Sequence, residues 1–173
     1  MASTTYWQTA GFYGETVNVD AGMKRLEVHV KQVPVLFKGF TDEELLQRPA
    51  PGKWSKKEIL GHLIDSAINN LQRFTEVQFL PQPYYVVSYR QNELVEVNHY
   101  QELPIDHLLE LWSALNRQII SVVQNTPGEK FEFPVDPKYD NGAMKTLGWV
   151  ICDYVSHMVH HLNQVTAKQD TNS

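Results

Sequence analysis

The chain has 173 residues, 42 % of them apolar and 20 % charged, with a formal net charge of −5. That size suits one domain with a substantial core, and an acidic balance with scattered Lys and Arg excludes nucleic acid as the main partner. No apolar run approaches the ~20 residues of a membrane helix, no secretion signal is visible at the start, and the single cysteine, Cys152, excludes an internal disulfide; a cytoplasmic protein with no membrane partner is expected.

Residues 1–19 show no clear period, but Tyr6, Trp7, Phe12 and Tyr13 make the segment too aromatic for a free tail. It is expected to pack on the body or on a second subunit, and a homodimer is expected. The body spans 20–168, and residues 169–173 should fray.

Asp20 is placed to cap a first helix whose apolar face is Leu26, Val30, Val33 and Phe37. Pro34 should kink or divide it, and Gly39 should stop it. Thr41 caps a short helix with Asp42, Glu43 and Glu44 in its first turn. Ser55 and Glu58 form a capping box for a long second helix over 56–80, with Trp54 and Ile59 spaced as a hydrophobic staple. Ile59, Leu63, Ala67, Leu71 and Phe74 carry its stripe, and Pro81 and Pro83 end it. Residues 81–104 are irregular, and the extended-looking Tyr84 to Tyr89 run is too little to predict a sheet. Pro104 fits the first turn of a third helix with Leu108, Leu111, Trp112, Leu115, Ile119 and Val122 on one face. After a turn-rich connector, Thr146 caps a last helix with Val150, Tyr154, Met158, Leu162 and Val165 on its core side. Four long amphipathic segments predict an all-α four-helix bundle with at least one long connection.

The last helix carries the chemistry. His157 and His161 are four apart, so they share one face and can grip one divalent ion. Asp153, one turn earlier, could hold a ring N–H and fix the tautomer. Two ligands leave an ion half held, so a third must come from elsewhere. His62 in the second helix is the candidate, with His29, His99 and His107 as alternatives.

Trp54-Ser55-x-x-Glu58-x-x-x-His62-Leu63-x-Asp65, followed by Tyr154-x-x-His157-x-x-x-His161-Leu162-x-Gln164, resembles the DinB-like/YfiT metal-binding superfamily over about residues 20–168. The resemblance implies an up-down-down-up bundle and a divalent ion, Zn2+ or Ni2+, held by three histidines that map onto His62, His157 and His161. His160 is not a ligand in that mapping. Where family members often have Arg-Gly before the final Gln, this chain has Leu162-Asn163, which marks a divergent branch.

Three histidines leave at least one coordination position open. There a bound water would have its pKa lowered toward ~7, or a thiol would be held as thiolate. Relatives implied by the resemblance include metal-dependent hydrolases and transferases or isomerases that use bacillithiol, mycothiol or glutathione. The expected function is therefore a metal-dependent enzyme, a thiol-dependent S-transferase or a hydrolase acting on a small molecule. Asp65 and Asp153 are candidates to support the site, and Glu58 is already committed to the cap. The other class is a non-catalytic metal-binding or stress-response bundle whose ion clips the second and last helices together.

Overall fold

A computed structural model describes residues 17–138 and 143–167. Tyr6, Trp7, Phe12 and Tyr13, and with them the N-terminal contact expected in a dimer, lie outside the described residues, as does the 169–173 tail. Helix α1 (Val19–Lys38) is capped by Asn18, whose Oδ1 accepts from the Ala21 N–H at 2.9 Å; Asp20 sits inside the first turn instead of capping it. A carboxylate is favourable there against the helix dipole. The helix is not divided at Pro34. Buried Met23 and Leu26 before the proline and Phe37 after it anchor both halves, and that packing offsets the ~3 kcal/mol a helix-interior proline costs.

Helix α2 (Asp42–Leu46) and helix α3 (Lys56–Glu76) each begin with a complete capping box, Thr41 with Glu44 and Ser55 with Glu58. Every residue of α3 over 57–67 is buried, on all sides of the helix. Lys57 escapes by donating from Nζ to the Gln101 carbonyl at 2.8 Å. The helix stops at Glu76 rather than near 80, where Gln82 donates to the Val77 carbonyl at 2.7 Å.

Three short strands follow that the sequence pattern does not predict. Strand β1 (Tyr84–Tyr85) pairs parallel with β2 (Pro134–Asp136), which pairs antiparallel with β3 (Lys145–Thr146). Strands of two or three residues are too short to show alternation. Between β1 and β2 come α4 (Gln91–Val97), also unpredicted, with only Val95 buried, and α5 (Ile105–Gln124). Helix α6 (Leu147–Thr166) begins at Thr146, whose hydroxyl accepts from the Trp149 N–H at 3.2 Å.

Side-chain pairs set the directions of the four long helices. Lys38 meets Asp106 at 2.9 Å and Gln124 meets Glu27 at 3.0 Å, so α1 and α5 run antiparallel. The Lys57–Gln101 bond puts the starts of α3 and α5 at one end. Val19 lies against Gly148, so α1 and α6 start together at the other end. The result is the up-down-down-up bundle, with α3 and α5 flanked by α1 and α6. Parallel neighbours need long connections, which is why β1 and α4 intervene between α3 and α5.

On α5 the buried face is rotated from the predicted one. Leu111 is 36 % exposed, while Asn116 is fully buried. The Tyr154 hydroxyl of α6 donates to Asn116 Oδ1 at 2.7 Å, and Asn116 Nδ2 donates to the Trp112 carbonyl at 2.8 Å. A polar residue in mid-core is thus satisfied across the bundle.

Gly61 is required by a close approach. A Cβ there would meet the Tyr100 ring at 2.1 Å. Helix propensity favours alanine over glycine by about 1 kcal/mol, but a displaced Tyr100 would also lose its hydroxyl bond to Asp65. Gly61→Ala should therefore lose about 1–3 kcal/mol of stability in denaturant titration, the usual range for overpacking. In a Tyr100→Ala background the same change should be neutral or stabilising; equal losses in both backgrounds would refute the packing account.

Candidate metal centre

His62 stands in the second turn of α3, and His157 and His161 stand one turn apart on antiparallel α6. Their Nε2 atoms converge: His62 to His157 is 3.4 Å and His157 to His161 is 3.1 Å. All three ligand atoms lie within 4.8 Å of one another. Nitrogens 2.0–2.1 Å from one ion are about 3.3 Å apart at a tetrahedral angle and about 2.9 Å at a right angle. The 3.1 Å and 3.4 Å spacings fall within or close to that interval, so the three imidazoles suit one divalent ion.

Their protonation suits it as well. Burial, then the neighbouring imidazoles His161 and His157, holds the His62 pKa down to about 3. Burial, with His161 and His160 beside it, holds His157 down to about 4. Burial lowers His161 too. All three rings are neutral near pH 7, the form that binds metal.

Gln164 sets the His161 tautomer. Its Oε1 accepts from His161 Nδ1 at 3.0 Å, and its Nε2 donates to His160 Nε2 at 3.0 Å. His161 Nδ1 therefore carries the proton, and the Nε2 lone pair faces the cluster. His160 stands outside the cluster; it fixes the amide that orients His161. Gln164 was part of the recognised pattern, but its role requires the geometry of the helix turn to be seen.

Trp54 covers one side of the cluster. Its ring lies 4.8 Å from the His62 ring and 6.2 Å from the His161 ring. The residue expected to staple the helix start thus also roofs the histidines. Asp65, one turn beyond His62, is buried; its Oδ1 accepts from the Tyr100 hydroxyl at 2.6 Å and from Asn98 Nδ2 at 3.1 Å. Burial raises its pKa, and the two hydrogen bonds oppose that rise. Asp65 therefore ties the residues after α4 to α3.

The alternative ligands lie elsewhere. His29 is buried on α1, held at about 4 by burial and by the charge of Arg25. His99 is exposed, 3.6 Å from Glu102, and His107 is exposed on the first turn of α5. Among the described residues no fourth His, Cys, Asp or Glu joins the cluster.

A cleft of about 250 Å³ opens beside the histidines between α3 and α6, and His157 is the one member of the cluster that lines it. Asp153 and Tyr154 lie on the same wall, opposite Ser66 and Asn70. The cluster is thus roofed by indole on one side and faces a polar cleft on another.

Comparison with known proteins agrees with this architecture. YfiT from Bacillus subtilis, described as a probable metal-dependent hydrolase with an unusual four-helix bundle topology, superposes with a TM-score of 0.78 at 19 % identity, covering 91 % of this chain and 89 % of that one. The mycothiol-dependent maleylpyruvate isomerase superposes with a TM-score of 0.66 at 13 % identity, covering 89 % of this chain and 62 % of that one. A mutant form of that isomerase gives 0.67 at 12 % identity, covering 92 % and 65 %. The chain thus spans less than two thirds of the isomerase's length, and at these identities the likeness is one of fold. No curated protein matches the sequence. The family model of the DinB superfamily matches residues 25–165, and the chain belongs to that superfamily.

Proposed function

We propose that His62, His157 and His161 hold one divalent ion, zinc or nickel, and that the protein is a metal-dependent enzyme acting on a small molecule. The observation that carries this reading is the three-histidine cluster with no fourth protein ligand among the described residues, bordered by a cleft. A site closed by four ligands is structural, whereas three leave a position for chemistry. A bound ion supplies Lewis-acid chemistry there, lowering the pKa of an ionisable group placed at the open position.

The protein's own residues do the rest. Gln164 holds His161 with its lone pair inward, Trp54 lays its ring over His62, and the cleft leads a small molecule toward His157. A low-molecular-weight thiol at the open position would make the enzyme an S-transferase; water there would make it a hydrolase. The isomerase relative supports the thiol and YfiT supports the hydrolase. Purified protein screened for S-transfer with bacillithiol, mycothiol and glutathione, and for ester and amide hydrolysis without thiol, separates the two. Activity in neither arm with the ion bound would leave the non-catalytic bundle as the better reading.

Metal analysis should find one ion per chain, lost in His62→Ala, His157→Ala and His161→Ala but retained in His99→Ala. Ion binding adds to native-state stability by mass action, but the core does not depend on it: Leu26, Phe37, Ile64, Trp112 and Met158 are fully buried without it. Chelation should abolish activity and lower the melting temperature modestly while helicity persists. A chelated protein unfolded at room temperature would make the ion a structural clip.

The metal-free protein should also show a defined pH dependence. His62 and His157 titrate at about 3 and about 4 in the folded chain, below the ordinary 6.5. Between those values and 6.5 the unfolded chain binds more protons, so stability falls as pH falls through that window. Melting of the chelated protein from pH 7.5 to 4 should show this decline, and His157→Gln should make it shallower. An unchanged slope in that variant would contradict the burial of His157 as a neutral ring.

A further inference from the structure

The cleft continues along α3 away from the histidines. Ser66, Asn70 and Arg73 follow His62 at four, eight and eleven residues, so they form one stripe facing α6. Among the described residues, Arg73 is the one lysine or arginine lining the cleft, and Asp153 is its one carboxylate. The guanidinium is held in place: Nη2 donates to the Val87 carbonyl at 3.1 Å, Nη1 donates to Asn70 Oδ1 at 3.4 Å, and the group lies 5.6 Å from the Tyr89 ring centre. Neither of those hydrogen-bond partners is charged. Arg48 and Arg90 each meet a glutamate, but Arg73 forms no ion pair with a described carboxylate. Two of its five N–H donors are used, and three remain for a ligand.

We propose that Arg73 is the anion-binding end of the cleft, so that the substrate carries a carboxylate at one end and its reacting group at the histidine cluster. This rests on the metal-centre reading above. Arg73 is eleven residues beyond His62, about 16 Å along the axis at 1.5 Å per residue. His62 and Arg73 both lean toward the N-terminus, so only the longer reach of arginine shortens this, to about 14 Å, and a carboxylate paired with the guanidinium would lie about 10 Å from the cluster. A single guanidinium matches a monoanionic carboxylate through paired N–H donors. A phosphate dianion fits less well, because no second cation among the described residues lines the cleft and Asp153 opposes added negative charge.

The test uses protein loaded with Co2+, whose thiolate charge-transfer band reports occupation of the open position. The probes are mercaptopropionate, mercaptohexanoate, mercaptooctanoate and mercaptoundecanoate, each compared with its hydroxyl-terminated counterpart. The acid should bind about tenfold more tightly than the alcohol when the chain spans about 10 Å, near mercaptooctanoate, and no more tightly for mercaptopropionate. In Arg73→Gln, checked for Co2+ uptake and melting, acid and alcohol should bind alike at every length. Equal binding of acid and alcohol in the unsubstituted protein overturns the Arg73 assignment alone, and that comparison stands even if the variant fails to fold. So does an acid preference that survives Arg73→Gln. If no thiol produces the band, the open-position reading falls, and this inference falls with it.

Discussion

Three neutral imidazoles whose Nε2 atoms stand 3.1 to 3.4 Å apart gain little from one another. His161 turns a lone pair inward because its proton is held at Nδ1 by Gln164. At most the other two rings could supply an N–H to the centre, and burial denies any of them the proton that would make them cations. Close approach of buried lone pairs is unfavourable unless a positive centre lies among them. The protein accepts this arrangement at the one place where α3 and α6 cross in opposite directions. The up-down-down-up order serves that crossing: it makes α3 and α6 antiparallel neighbours and brings the start of one beside the end of the other.

Holding three rings in one place requires the first turns of α3 to be rigid, and the polar contacts there are dense. Glu58 closes the capping box with Ser55 and also accepts from Arg48 Nε at 2.9 Å. Burial would raise its pKa, but the hydrogen bonds from Arg48 and Ser55 outweigh it, so the carboxyl lies below its usual range. Lys57 reaches Gln101 on one side, and Asp65 receives Tyr100 and Asn98 on another. Gly61 lets the Tyr100 ring lie against the helix between them. These contacts tie α3 to two segments, Arg48 before it and residues 98–101 after α4, so His62 is positioned by its surroundings as well as by its own rotamer.

The long helices were legible because their signals are local and repeated: a cap, a 3.6-residue period and a stop. Thr41, Ser55 and Thr146 all cap where the sequence pattern places them. Asp20 misses the cap by two residues, because Asn18 offers the same chemistry just before it. Pro34 reads as a kink or a division because the cost of a proline is local, whereas the packing that offsets it is not. The β1–β2–β3 sheet was hidden for the same reason, since Tyr84 pairs with Val135 across a separation no periodicity reports. At the site, His157 and His161 were legible from spacing alone. His62 was one of four candidates until the family pattern singled it out, and the structure brings that one, not His29, His99 or His107, to the other two.

Trp54 was recognised, yet its work was only half visible. A residue just before a helix cap is expected to pack on that helix's first turns, and Trp54 does lie beside α3. What sequence spacing could not convey is that α6 delivers His161 to the same indole, 6.2 Å from its centre. One aromatic ring therefore lies beside a clustered histidine from each helix. It covers the cluster on one side, and the cleft that His157 shares with the stripe from Ser66 to Arg73 borders it on another. A roof that is apolar and an approach that is polar give the cluster a direction. In the proposed function that direction, more than the presence of three histidines, is what separates a site for a small molecule from an ion that clips two helices together.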